Sequence, residues 1–117
     1  MSRLSNPPPQ LDMTAFNTLK KIFGNNFQQA IDSILNCAHD NILLMENAIE
    51  NNDAAQLELA SHSLKGACSQ FGAMALSELA QQMENFAKEL EVNKGCNILE
   101  ALKAEQKMVE KLMLEAC

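Results

Sequence analysis

Residues 57–90 read LELASHSLKGACSQFGAMALSELAQQMENFAKEL. Two apolar stripes in this stretch decide the architecture. At about 100° per residue, Leu57, Ala60, Leu64, Ala67, Cys68 and Phe71 line one face of a helix that ends near Gly72. Leu76, Leu79, Ala80, Met83, Phe86, Ala87 and Leu90 line one face of a second helix. The two patterns meet about Gly72 and Ala73, so the helices fold back on each other as an antiparallel hairpin.

The same period extends in both directions. Asp12 to Phe23 carries Met13, Phe16, Leu19, Ile22 and Phe23 at helical spacing, with Gly24 as a stop signal. A longer pattern from about Asn26 to Glu50 holds Phe27, Ile31, Ile34, Ala38, Ile42, Met45 and Ile49, and Asn51-Asn52-Asp53 breaks it. Asp53 with Gln56 three residues on is a capping-box pair that opens the next helix. Beyond the hairpin, Glu91 to Cys96 reads as a connection. Asn97 with Glu100 is a second cap-like pair, ahead of a helix with Leu99, Leu102, Val109, Leu112 and Met113 inward. These patterns predict an all-α fold, an antiparallel up-down four-helix bundle with a short additional N-terminal helix acting as a lid. Residues 1–10, with Pro7, Pro8 and Pro9 in succession, are expected to form a flexible N-terminal tail, and 11–117 the single domain.

Composition supports that reading and removes several function classes. A chain of 117 residues has enough length to bury a core without staples. Valine occurs only at Val92 and Val109, and there is no Tyr or Trp, so strand formers are scarce. The net charge is −6, and no basic run is available to neutralise a phosphate backbone, which argues against a nucleic-acid partner. No apolar stretch is long enough to cross a membrane. The polar start lacks the apolar core of a secretion signal. Cys37, Cys68, Cys96 and Cys117 show no metal-ligand spacing. Cys37 and Cys68 read as small buried hydrophobes, and the pattern suits a reducing cytoplasm.

The chemistry-bearing residues lie opposite the apolar stripe of residues 57–71. His62 points away from that stripe, with Lys65 at i+3 and Gly66 at i+4 flanking it. A glycine inside a helix costs about 1 kcal/mol relative to alanine, and one facing away from the core has no packing reason to be there. A nucleophile, a cation and a cleared approach thus share one surface, an arrangement suited to handling phosphate. Residues equidistant from the Gly72–Ala73 turn lie at one height, which sets His62 level with Met83 and Glu84. Met83 belongs to the core stripe, leaving Glu84 as the polar candidate beside the imidazole. Ala55 and Leu59 share the His62 side and form a candidate apolar docking patch. By contrast, His39 has neither lysine nor glycine beside it and reads as a surface residue. The seven methionines mostly fall on core stripes. Glu46, Glu50, Asp53 and Glu58 read as a solvated acidic face rather than metal ligands. Ser61, Ser63 and Ser69 have no triad partners in the sequence.

The run His62-Ser63-Leu64-Lys65-Gly66, followed by Phe71-Gly72-Ala73, Leu76-Ser77, Leu79-Ala80 and Met83-Glu84, closely resembles the histidine-containing phosphotransfer (HPt) domain. The family's usual run is His-Ser-Leu-Lys-Gly, a Leu-Gly-Ala-like turn, Leu-Ser-x-Leu-Ala and a Leu-Glu or Leu-Gln pair. The resemblance covers almost all of the chain from about Leu11. It implies a two-component phosphorelay carrier and phosphoprotein that is not itself an enzyme. His62 would take a phosphoryl group from the aspartyl phosphate of a receiver domain and pass it to another. The resemblance further implies response-regulator receiver domains and a hybrid sensor histidine kinase as partners. It implies no cofactor of its own, Mg2+ being supplied by the receiver. Lys65 would offset phosphoryl charge, and Gly66 would give steric clearance. The position of Glu84 is glutamine in some members, where it helps hold the imidazole; a carboxylate here would orient the ring but repel an incoming phosphate. Ser69 and Gln70 fall on the rim of the docking surface. A monomer is expected. Two other readings stay open at this point: a piece of a larger kinase phosphorylated in cis, and a structural or adaptor bundle.

Overall fold

The computed structural model describes residues 11–116; the expected tail, residues 1–10, lies outside them. Five α-helices follow in order: α1 (Met13–Phe23), α2 (Phe27–Glu50), α3 (Ala54–Gln70), α4 (Met74–Lys88) and α5 (Gly95–Ala116). Short 3₁₀ turns at Gly24–Asn26 and Val92–Lys94 lead into α2 and α5. Each of α2 to α5 packs on two neighbours, in the cyclic order α2, α3, α4, α5, and α1 packs on α2. The architecture is the predicted all-α four-helix bundle with an additional N-terminal helix. None of the described helices is long and apolar enough to cross a membrane.

The core is built from the stripes read in the sequence. Ile31, Met45, Leu57, Leu64, Leu76, Met83, Leu102 and Met113 are fully buried. Removal of such side chains from water is the main favourable contribution to folding. Not every stripe residue turns inward. In α1 only Phe16 is buried, while Ile22 is 69% exposed. This helix lies on the bundle as a lid rather than inside it. It is fixed by an edge-to-face contact of Phe16 on Phe27 and by Phe23 stacked on Phe71. Among the methionines, Met45, Met83 and Met113 are buried, but Met13 and Met108 are nearly half exposed. Cys68 is buried, as read, whereas Cys37 is only half-buried and its Sγ accepts from Asn41 Nδ2 at 3.3 Å.

Helix ends explain two departures from the sequence reading. The three interhelix turns after α2, α3 and α4 close with the same pair of backbone bonds. After α3 these are Ala73 N–H to Cys68 O and Gly72 N–H to Ser69 O, with Gly72 at φ +79, the Schellman arrangement. Gly72 also lets α1 approach: a Cβ there would sit 2.9 Å from the Asp12 carbonyl oxygen. After α4 the left-handed position falls on Leu90, at φ +59. That conformation stops α4 at Lys88 and turns Leu90 out to 78% exposure, so Leu90 leaves the core stripe. The second departure is Asn97. It does not cap α5, which begins two residues earlier at Gly95. A Cβ on Gly95 would be 2.6 Å from Met83 Sδ, so the first residue of α5 packs close against that side chain of α4. Asp53 does cap α3, accepting from Gln56 N–H at 3.0 Å, and Asp12 caps α1 through Thr14 N–H and Ala15 N–H.

Candidate functional site

The turn of α3 from His62 to Gly66 faces the outer edge of α4. Leu64 and Cys68 anchor it in the core. Ser77 Oγ of α4 donates to the Lys65 carbonyl oxygen at 3.3 Å and pairs with Ser69 Oγ at 2.7 Å, which pins the two helices together one turn below the histidine. The His62 side chain is 70% exposed, yet its Nδ1 lies 3.2 Å from Glu84 Oε2.

Glu84 is the hub. Its side chain is only 4% exposed and meets three basic groups: Lys65 Nζ at 2.9 Å from Oε1, and His62 Nδ1 and Lys88 Nζ, at 3.2 and 3.5 Å, on Oε2. Burial pushes its carboxyl up. The hydrogen bond and charge of Lys65, the charge of Lys88 and the His62 hydrogen bond together outweigh that, and hold it below its ordinary value of 4.5. The carboxyl is therefore an anion at neutral pH and can only accept hydrogen bonds. Nδ1 of His62 must then carry the proton. In the neutral ring this leaves the lone pair on Nε2, at the exposed end of the imidazole.

Lys65 is not a free cation. Besides Glu84, its Nζ donates to Gln81 Oε1 at 2.9 Å. Gln81 Nε2 in turn donates to Asn85 Oδ1 at 3.0 Å. Gly66 is exposed, and a Cβ placed on it would meet nothing within 4 Å. Its absent side chain serves no contact among the described residues. Ala55, Leu59, Ser69 and Gln70 are all exposed on α3, Leu59 by 71%. Among the described residues, no group of three or more His, Cys, Asp or Glu is arranged to hold a metal ion.

A family model for the Hpt domain matches residues 29–112, most of the chain and all of the site. The chain belongs to the Hpt domain family. Membership makes this Hpt domain a protein of histidine phosphotransfer in phosphorelays, a family of carriers rather than kinases. No curated protein sequence matches it. Its fold is similar to that of the crystal structure of histidine-containing phosphotransfer protein B (HptB) from Pseudomonas aeruginosa PAO1. The two share 22% identity over 92% of this chain and 94% of that one, with a TM-score of 0.89.

Three residues of the network were not singled out in the sequence, Gln81, Lys88 and Asn85, and Ser77 was quoted only within the family run. The hairpin rule that set Glu84 beside His62 also finds Gln81. It pairs Lys65 with Ala80 and Gln81, and Ala80 lies on the core stripe. Lys88 is at i+4 from Glu84, a favourable order for an ion pair on one helix face. Ser77 belongs to the motif run but its partners could not be read there, because a serine hydroxyl declares a partner only once the facing helix is in place.

Proposed function

We propose that this Hpt domain is a phosphorelay carrier in which His62 Nε2 takes a phosphoryl group from the aspartyl phosphate of one receiver domain and passes it to the aspartate of another. The observation that carries the reading is the contact from His62 Nδ1 to the buried Glu84 carboxylate, on a ring whose other nitrogen faces solvent. A neutral imidazole nitrogen is a competent in-line nucleophile. As Nε2 forms its bond to phosphorus, the donor's O–P bond breaks and the aspartate leaves as a carboxylate. The ring keeps its Nδ1 proton and becomes a phosphoimidazolium. Glu84 then faces a positive ring, which offsets part of the repulsion its charge exerts on incoming phosphate. The return step reverses these bond changes.

Phosphoryl transfer rests largely on positioning and electrostatics. Lys65, and Lys88 on the other side of Glu84, provide positive charge within reach of the phosphoryl oxygens. Gly66 leaves space for the receiver's active site to close over the ring. Ala55, Leu59, Ser69 and Gln70 form the rim on which the receiver docks. Mg2+ and most phosphate-coordinating groups belong to the receiver in this reading. The partners proposed are response-regulator receivers and a hybrid sensor kinase in the cytoplasm.

The test is incubation with a phosphorylated receiver domain, comparing wild type with His62→Gln. Acid-labile, alkali-stable label is expected on the wild type and on none of the variant. Equal label on both, or label on neither across a broad panel of receivers, would reject the carrier role. Because the ring is exposed, both proteins should melt at closely similar temperatures.

A further inference from the structure

The cation beside the imidazole is held by a residue that the family motif does not include. Lys65 has a long flexible stem, and an ammonium on such a stem points nowhere in particular until acceptors fix it. Here two acceptors do so, both on α4 and three residues apart on one face: Glu84 Oε1 at 2.9 Å and Gln81 Oε1 at 2.9 Å. An ammonium only donates, so the Gln81 amide must turn its oxygen to Lys65 and its NH₂ away. Asn85 Oδ1 receives that NH₂ at 3.0 Å. The chain Asn85–Gln81–Lys65–Glu84–His62 is continuous. Of the two neighbouring glutamines, Gln82 is exposed and takes no part.

We propose that Gln81 is a positioning residue for phosphoryl transfer that acts through Lys65, fixing the direction of its ammonium with a neutral acceptor. The neutrality matters. Glu84 already presents a full negative charge to Lys65. A second carboxylate at position 81 would hold the lysine in a tighter pair, which the phosphoryl group would have to break to gain its counter-charge. A carbonyl oxygen directs the ammonium without competing on charge, so Lys65 can pivot on Gln81 from Glu84 towards the phosphoryl oxygens. This inference rests on the carrier role of His62.

The test uses phosphoramidate as a small donor, so that docking of a receiver does not enter. Its N–P bond breaks as the Nε2–P bond forms, and the leaving nitrogen takes a proton from solvent to depart as ammonia. Labelling rates at His62, corrected with His62→Gln, are compared for wild type, Gln81→Ala, Gln81→Glu, Lys65→Ala and the Gln81→Ala/Lys65→Ala double variant. Gln81→Ala should slow labelling by about three- to tenfold, and Gln81→Glu by more, with melting temperatures close to wild type. In the Lys65→Ala background, Gln81→Ala should change the rate by less than about twofold, the non-additivity of residues that act as one unit. A purely structural glutamine would slow labelling equally with or without the lysine. That result, an unchanged rate in Gln81→Ala, or a Gln81→Glu variant as fast as wild type would overturn the proposal while leaving the carrier role intact. Absence of label on wild-type His62 from both phosphoramidate and receivers would instead remove the carrier role itself.

Discussion

The flank formed by α3 and α4 and the opposite flank formed by α2 and α5 are built from the same kind of amphipathic helix but joined in different ways. Across α3 and α4 run the His62–Glu84 and Lys65–Glu84 pairs, the Lys65–Gln81 bond and both Ser77 hydroxyl contacts. Across α2 and α5, among the described residues, the one side-chain polar link is Lys103 to Glu46 at 3.0 Å, with both partners more than a third exposed. Apolar packing of Ile42, Met45, Leu102 and Val109 suffices on that side. The bundle therefore does not need a buried carboxylate to hold two of its helices together. Desolvating one is costly unless it is paired, and on the flank that carries His62, Lys65 and Gly66 three basic groups supply that pairing.

The largest expected effect on this contrast comes from Glu84→Ala. It removes the acceptor shared by Lys65, His62 and Lys88, and should slow receiver-dependent transfer at least about tenfold while costing about 1–3 kcal/mol of stability. Transfer at the wild-type rate would show that the α3–α4 network is no more functional than the α2–α5 pair. The same variant sharpens the electrostatic argument through pH. Glu84 has a lowered carboxyl in the folded chain, so its stabilisation is fully present above its unfolded value and is lost as pH falls through the folded one. The difference in melting temperature between wild type and Glu84→Ala should narrow in strongly acidic solution, below the ordinary carboxyl value of 4.5. A gap undiminished there would contradict the assignment.

Gly66→Ala tests the other half of the site and should separate stability from function. The added methyl meets nothing among the described residues and removes a helix penalty of about 1 kcal/mol, so the variant should melt higher than wild type. Transfer from a phosphorylated receiver should nevertheless fall by about fivefold or more, since the methyl stands where the partner closes. A more stable variant with undiminished transfer would show that the clearance at Gly66 is not used. The smallest effect is expected from Lys103→Ala on the opposite flank. An exposed ion pair contributes little, and neither melting nor transfer should move appreciably. A loss of transfer there would mean that the two flanks are coupled.

Much of this was legible in the linear chain because it depends on periodicity and on local turn chemistry. The stripes of Leu57–Phe71 and Leu76–Ala87 face inward as read, except for Phe86, which is only half-buried and outside the core, and the Gly72 turn alone was enough to bring Glu84 to His62. Where a stripe misled, a local conformation or a lid position overrode it. Leu90 fits the 3.6-residue period but occupies the left-handed position that ends α4. Ile22 fits the period of α1, but a helix lying across the outside of a bundle buries only a narrow line of side chains, here Phe16. Asn97 has the composition of a cap, yet α5 already begins at Gly95, running straight on from the 3₁₀ turn at Val92–Lys94.

The sequence by itself determined the bundle, the hairpin and the identity of the exposed histidine with its lysine and glycine. These follow from the spacing of apolar residues and from backbone preferences, which act within a few residues. Only the tertiary structure decided what Lys65 and Glu84 do. Glu84 became a buried anion because two helices closed over it, and Lys65 acquired two acceptors because Gln81 and Glu84 share the α4 face opposite it. Charge state and direction depend on every group within a few ångströms, whatever its distance along the chain. That is why the tautomer of His62 is read from the folded molecule and not from the motif.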